Sequence, residues 1–370
     1  MVEFSFPISV DVIIYSSRGE DILKGFLGNK KVKCISPEHK YNFFVLVLAL
    51  VKLKISFKGY LEEYISILKP QLLISNVDNE PFIWNLKSKF PLLSLVVIQF
   101  AHRSRVHDLF GISDIAKLYN ESNSRVDYFF VFNRNVLTEY RKLINSNFLL
   151  IGSIKNNQIA RSNLDKNSNK VSFISQYRSN QKYHPVFVTI EGRKIFKDQF
   201  YNSEFKLLPL LLNFSINNSF ELDIIGCSDS IEELEFYESI LGKGNFIFLP
   251  KTSEYDSYEH INQSHLVVSV DSTLGYESFA RGIKTAFVSN RSNDLLEDSV
   301  RFGWPGKFSD SGPFWINNVE PENIFSLLNN LKNMPLNVYH DLVIQYSSEL
   351  MVYDFNNTLL KSTIDKILAK

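Results

Sequence analysis

Residues 271–277 read Asp-Ser-Thr-Leu-Gly-Tyr-Glu, directly after the apolar run Leu266 to Val270. Asp271, Ser272 and Thr273 are three N-cap-type residues in a row, so a helix is expected to start there. Free N–H groups at a helix start, with hydroxyls beside them, form an anion site. A phosphate would sit there without a metal. Glu277 lies one turn further on, placed to reach a ribose hydroxyl next to that phosphate. An ordinary capped helix in an α/β sheet carries the same residues, so the stretch needs support from the rest of the chain.

A second run offers acid–base chemistry. His102, Arg103, Arg105, His107 and Asp108 fall within seven residues. Arginines there could hold a carboxylate or phosphate by bidentate hydrogen bonds. His102 or Asp108 could serve as general base for a hydroxyl nucleophile. The competing interpretation is a polar loop with local ion pairs. Asp78-Asn79 is a third candidate, equally readable as a turn and helix cap. Asp78, Asp108 and Asp271 are the carboxylates from which a nucleophile would be drawn if the chemistry ran by double displacement.

Elements that deliver these residues can be read in order. Apolar runs at Val10 to Tyr15, Val32 to Ser36, Leu72 to Val77, Leu93 to Phe100, Asp127 to Phe132 and Phe148 to Ile151 alternate with helical patterns. After a polar stretch, Ile154 to Lys170, the alternation resumes. Strands are expected at Val171 to Ser175, Leu222 to Gly226, Phe246 to Leu249, Leu266 to Val270 and Lys284 to Val288. Such alternation implies parallel sheets covered by helices on both faces. The polar stretch carries five asparagines and reads as a linker between domains. Gly282 is expected to stop the helix that starts at Thr273. Phe302 to Trp315 is expected to be irregular, and helices close the chain.

In open α/β sheets, ligands collect outside the carboxyl ends of the strands. Strand ends of the first half deliver Ser16 to Gly19, Asp78 and Gln99 to Asp108. Those of the second deliver Ser175 to Arg178 (with Gln176), Cys227 and Ser228, Pro250 and Lys251, and Asp271 to Thr273. Polar groups from both halves therefore converge on one cleft.

Composition sets the bounds. The chain has 370 residues, 45% hydrophobic, with a formal net charge of zero. That suffices for two domains with separate cores. The missing basic excess argues against nucleic-acid binding. Cys34 and Cys227 lie in strand-like runs and read as buried thiols of a reducing compartment. Met1 to Pro7 lacks the pattern of a signal peptide. Phe43 to Val51 is strongly apolar but too short to span a bilayer, and reads as a buried helix, with a membrane-facing patch as the alternative. No Gly-x-Gly-x-x-Gly, Walker loop, Gly-x-Ser-x-Gly elbow or metal-ligand spacing occurs. Their absence argues against dinucleotide oxidoreductases, P-loop kinases, serine hydrolases and a metal centre.

Several pieces together resemble a known family. They are Val77-Asp-Asn79, Ile98-Gln99 with Arg103 and Asp108, Ile151-Gly-Ser153 with Asn156-Asn157, Ile174-Ser-Gln-Tyr177, Val270 to Glu277 with Ala280-Arg-Gly282, and Gly312-Pro-Phe-Trp315. The chain resembles GT-B glycosyltransferases and, more narrowly, the bacterial transferases of surface-carbohydrate biosynthesis. It departs from the family pattern at Phe100-Ala101-His102, where Asn-Gly or His-Gly is usual.

The resemblance implies an α/β GT-B fold, with two Rossmann-like domains whose parallel sheets face a central cleft. The expected divisions are an acceptor domain over 1–153, a linker over 154–170, a nucleotide-sugar domain over 171–335 and C-terminal helices over 336–370. It implies metal-independent sugar transfer from a nucleotide-activated donor, with no cofactor, in assembly of a capsule, O-antigen, lipopolysaccharide or related glycan. The donor is CMP-, UDP- or GDP-linked; the arginine loop suits a CMP-activated ulosonic acid such as Kdo. The acceptor is a glycan or a lipid-linked glycan. The expected location is the cytoplasm, with peripheral association at the inner face of the membrane as a further option. The catalytic set is His102, Asp108, Asp78 and Arg103. The nucleotide set is Gln176, Pro250, Lys251, Asp271, Ser272, Thr273, Gly275 and Glu277. A nucleotide-sugar epimerase of the same fold and a non-catalytic scaffold of polysaccharide assembly are the competing readings.

Overall fold

The computed structural model describes residues 2–36, 41–103, 124–161, 168–178, 185–188 and 192–369. Asp108, with Arg105 and His107, lies outside the described residues.

Two six-stranded sheets, each parallel throughout, carry the molecule. The first contains β1 (Val12–Tyr15), β2 (Val32–Ile35), β3 (Leu72–Ser75), β4 (Ser94–Ile98), β5 (Arg125–Val131) and β6 (Asn145–Leu150), in the order β2-β1-β3-β4-β5-β6. The second contains β7 (Lys170–Ile174), β8 (Glu221–Ile225), β9 (Ile247–Leu249), β10 (Leu266–Ser269), β11 (Thr285–Val288) and β12 (Trp315–Ile316), in the order β9-β8-β7-β10-β11-β12. Counted within its own sheet, the second order is 3-2-1-4-5-6, the doubly wound arrangement of dinucleotide-binding folds. The inner strands β1, β3, β4, β7, β8, β10 and β11 are almost wholly buried, as sheets covered on both faces require, while β2, β6 and β9 at the edges are partly exposed.

Flanking helices include α1 (Glu20–Leu27), α2 (Phe43–Val51), α3 (Phe57–Leu68), α4 (Arg134–Arg141), α5 (Asn202–Asn217), α6 (Ile231–Leu241), α7 (Thr273–Ala280), α8 (Pro321–Asn333), α9 (Leu336–Leu350) and α10 (Thr358–Leu368). The chain ends by returning to its first half. Leu360, Ile364 and Ile367 of α10 pack on the face of the first sheet that carries Val12, Ile14 and Leu72. At the crossing, Val352 N–H donates to Phe132 O at 3.1 Å and Asn133 Nδ2 to Leu350 O at 2.7 Å. Gly152 has φ +68°, and a Cβ there would stand 1.9 Å from Val352 O. Only glycine fits both constraints.

The stretch after residue 153 is more packed than its polarity suggests, and one expectation, a buried α2, is corrected. The start of the polar stretch after residue 153 is packed, since Asn156 and Asn157 are fully buried. Asn157 Nδ2 donates to Ile151 O and to Asn357 Oδ1, both at 2.8 Å, so its polarity serves internal bonds and not solvent. Helix α2 forms where expected but is not buried: only Val45 and Ala49 are covered. It rests on α3 by one narrow stripe, and among the described residues its other side meets only the largely exposed rings of Phe4 and Phe6.

Candidate functional site

The first sheet reverses its winding between β1 and β3, and the second between β7 and β10. These switch points open the crevices where α/β sheets bind ligands. Asp271, Ser272 and Thr273 follow β10 at the second one, and Gln176 follows β7 beside it.

Helix α7 begins as its sequence dictates. Ser272 is the N-cap, with extended φ/ψ, and its Oγ accepts from Leu274 N–H at 3.3 Å. Gly282 stops the helix at φ +87°. Thr273 Oγ1 accepts from the backbone N–H of His102 at 3.1 Å, and the His102 ring stacks on Tyr276 at 4.5 Å. The helix start of the second half thus touches the strand-end loop of the first. Two further contacts cross the cleft: Ser153 bonds Glu277, and Lys155 pairs with Glu254. Tyr258 OH also donates to Glu277 at 2.8 Å. Burial raises the Glu277 carboxyl, against the pull of these donors.

The expected nucleotide set separates on inspection. Asp271 and Gln176 meet at Arg291, whose Nη1 donates to Asp271 Oδ1 at 2.7 Å and to Gln176 Oε1 at 2.9 Å. Arg291 is fully buried; its Nη2 pairs with Glu204 and its Nε donates to Phe200 O at 3.1 Å. Burial pushes the Glu204 carboxyl up, against Arg291. The assembly fixes the floor of the switch point. Gly275 has a packing role that its sequence position did not show. A Cβ there would stand 2.6 Å from Ser269 Oγ, so its role is close packing of α7 on β10. Pro250 and Lys251 are exposed, and Lys251 N–H donates to Ser228 O at 3.0 Å. Cys227 is likewise exposed and not buried, because β8 ends at Ile225 and the thiol already sits on the loop beyond.

In the expected catalytic set, Asp78 and Arg103 are brought together but turned on each other. Asp78 is fully buried, Arg103 Nε donates to its Oδ2 at 2.8 Å, and Tyr140 OH donates to the same oxygen at 2.6 Å. The pair fixes the loop from Gln99 to Arg103, a structural role that the sequence assignments did not include. His102 remains at the cleft. Burial and Arg103 lower its pKa to about 4, with Asp271 opposing, and its Nδ1 is buried with no hydrogen-bond partner among the described residues.

Arg291 and Glu80 were missed by the sequence assignments, and Arg18 was placed at a strand end but given no role. Arg291 follows β11, and extending the strand-end rule to that strand would have found it. Arg18, exposed, lies over Phe100 at 5.6 Å, with Lys155 over the same ring at 5.1 Å. It follows Ser16, whose φ of 92° lies in the region that favours glycine. Such strain costs about 1–3 kcal/mol and clusters at ligand clamps. Glu80 accepts from Tyr15 OH at 2.9 Å and is half-buried, with its carboxyl raised by burial. Among the described residues, no three His, Cys, Asp or Glu gather as metal ligands.

Comparison with known proteins decides the family. Residues 96–368 match the model of a family described as "putative O-antigen biosynthesis protein". This chain belongs to that family. It is a GT-B-type protein of surface-carbohydrate biosynthesis. Among curated proteins, none matches its sequence. Similar solved structures include the wall teichoic acid polymerase TagF, 15% identical, with 97% of this chain and 89% of that one covered at a TM-score of 0.55. MnaA of S. aureus, solved with UDP, is 12% identical, with 97% and 96% covered at a TM-score of 0.54. The UDP-GlcNAc 2-epimerase of Neisseria meningitidis, bound to UDP-GlcNAc, is 11% identical, with 97% and 99% covered at 0.54. At such identities the likeness is one of fold.

Proposed function

We propose that this protein is a glycosyltransferase that moves a sugar from a nucleotide-activated donor to a growing bacterial surface glycan. The observation that carries the reading is the helix start at Ser272-Thr273, set at a switch point and bonded across the cleft to His102. Helix N–H groups there would stabilise the charge growing on the departing nucleotide phosphate, without a metal in the step. Arg291 would hold Asp271 and Gln176 in place beneath it. Glu277 would exchange its Ser153 or Tyr258 partner for a ribose hydroxyl. His102, neutral at pH 7, would take the acceptor proton through a ring nitrogen. The 1–153 portion would hold the acceptor and the 171–335 portion the nucleotide.

With Arg103 paired to Asp78, Arg18 joins Arg105 as a group to hold an acidic moiety, with Lys155 beside them once it leaves Glu254. A CMP-activated ulosonic acid such as Kdo would give them a carboxylate to hold. A UDP- or GDP-hexose would leave them to a glycan or lipid-linked acceptor at the inner face of the membrane.

A second reading, nucleotide-sugar epimerase, is favoured by one observation: an epimerase and the polymerase match this fold about equally well, at TM-scores of 0.54 and 0.55. Incubating the protein with CMP-, UDP- and GDP-sugars, with and without glycan acceptor, and following products by NMR separates the two. Transfer requires acceptor. An isomerised donor formed without acceptor would replace transferase by epimerase.

A further inference from the structure

Helix α2 is a nine-residue run without a polar side chain, Phe-Phe-Val-Leu-Val-Leu-Ala-Leu-Val. Its exposed positions, from Leu50 round to Leu48, cover about 160° of the circumference at 3.6 residues per turn. The apolar surface continues on either side. Val51 is 78% exposed, Leu53 87% and Ile55 84%. Phe4 and Phe6, 68% and 69% exposed, lay their rings on Phe43 and Phe44 at 5.2 and 5.4 Å. A contiguous exposed apolar surface of this kind marks an interaction site. No helix among the described residues is long and apolar enough to cross a membrane.

We infer that this ridge is a docking surface for the face of a lipid bilayer carrying anionic headgroups. Two observations select that occupant. The first is charge. Residues 41–61 carry Lys52, Lys54 and Lys58 and no acidic residue. Glu62 and Glu63, which pair with Lys52 and Lys54, are buried beneath them, so the ammonium groups form the outer surface. Lysines at the edge of an apolar helix suit anionic headgroups. The same lysines disfavour a two-fold contact between copies of this chain, which would bring like charges together. The second is shape. The ridge is convex and offers no directional bond, so a fluid apolar phase accommodates it where a protein partner would need a matching groove.

The ridge also leads to the cleft. Phe57 lies 6.1 Å from the Tyr41 ring, beside α2, and 6.4 Å from the Tyr15 ring, whose hydroxyl bonds Glu80. Docking through α2 would set the first half's strand ends against the bilayer, where a lipid-linked acceptor presents its sugar. The docking itself is independent of the donor chemistry.

The test is flotation of the full chain with phosphatidylcholine vesicles, with and without phosphatidylglycerol. Flotation is expected with the anionic vesicles. Val51→Asp with Leu53→Asp should lower partitioning at least tenfold, since about 1.5–3 kcal/mol of burial is lost per side chain. Lys58→Gln should lower it about fivefold on anionic vesicles only, at about 1 kcal/mol per charge. Unchanged melting temperatures would show that both variants fold. A wild-type chain that floats with neither vesicle overturns the proposal. So does a wild-type dimer that Val51→Asp converts to monomer, because the ridge is then an interface between copies. Loss of nucleotide binding elsewhere would leave the flotation result untouched.

Discussion

At the second switch point, charged side chains are held in a closed net. Arg291 spans Asp271, Glu204 and Gln176, and Glu233 accepts from the N–H groups of Cys227 and Ser228 at 2.8 and 3.0 Å. At the first, one such net exists among the described residues, Asp78 with Arg103 and Tyr140, and beside it stand the exposed Arg18 and the half-buried Glu80. The difference teaches what each side is built for. A closed net fixes backbone donors in advance, which suits one constant ligand such as a nucleotide phosphate. Open charges beside an apolar ridge suit a larger and more variable one.

The largest expected effect probes the closed net. Arg291→Met leaves Glu204 and Asp271 without their cation, and should cost about 3–5 kcal/mol in urea unfolding. Asp78→Asn tests the matching net of the first half and should also act on stability. If Asp78→Asn left stability intact and abolished transfer, Asp78 would be a chemical group and the comparison would fail. Next comes Glu277→Gln, which should weaken nucleotide binding by about 1.5–3 kcal/mol in calorimetry. Unchanged affinity would remove the ribose role. Ser272→Ala removes a cap worth about 0.5–2 kcal/mol and should lower stability by that amount. A loss in nucleotide affinity with no loss in stability would instead make the hydroxyl a direct ligand.

A pH dependence is expected as well. His102 has its folded pKa lowered from 6.5 to about 4. The unfolded chain therefore binds more protons in that window. Stability from neutral His102 is present above about pH 6.5 and is lost as pH falls toward 4. His102→Gln should flatten that part of the profile, measured by the urea midpoint at each pH.

Much of the scaffold was legible because period and punctuation are local. Buried parallel strands read as apolar runs, and Asp271-Ser272-Thr273 and Gly282 bracket α7 within a residue. The resemblance to surface-carbohydrate transferases rested on the same local pieces, and the family match over residues 96–368 bears it out. What local pieces do not carry is which side a residue faces. Asp78 and Arg103 are 25 residues apart and find each other only once β3 and β4 are neighbours. Gly275 reads as part of a ligand loop until Ser269 is seen against it. The apolarity of α2 was plain, but apolar composition implies burial only if something lies above the helix. Arg291 was overlooked because the residues after β11 follow a strand with no evident motif.

The central claim is that the α7 start receives a nucleotide phosphate. Its most direct test is a thermal-shift panel with CMP, UDP, GDP and dTDP on the full chain, repeated on Glu277→Gln. A ligand that binds only the folded state raises the melting temperature with its affinity. The account predicts a rise with at least one nucleotide, diminished in the variant. No rise with any of the four would contradict it and favour the scaffold reading.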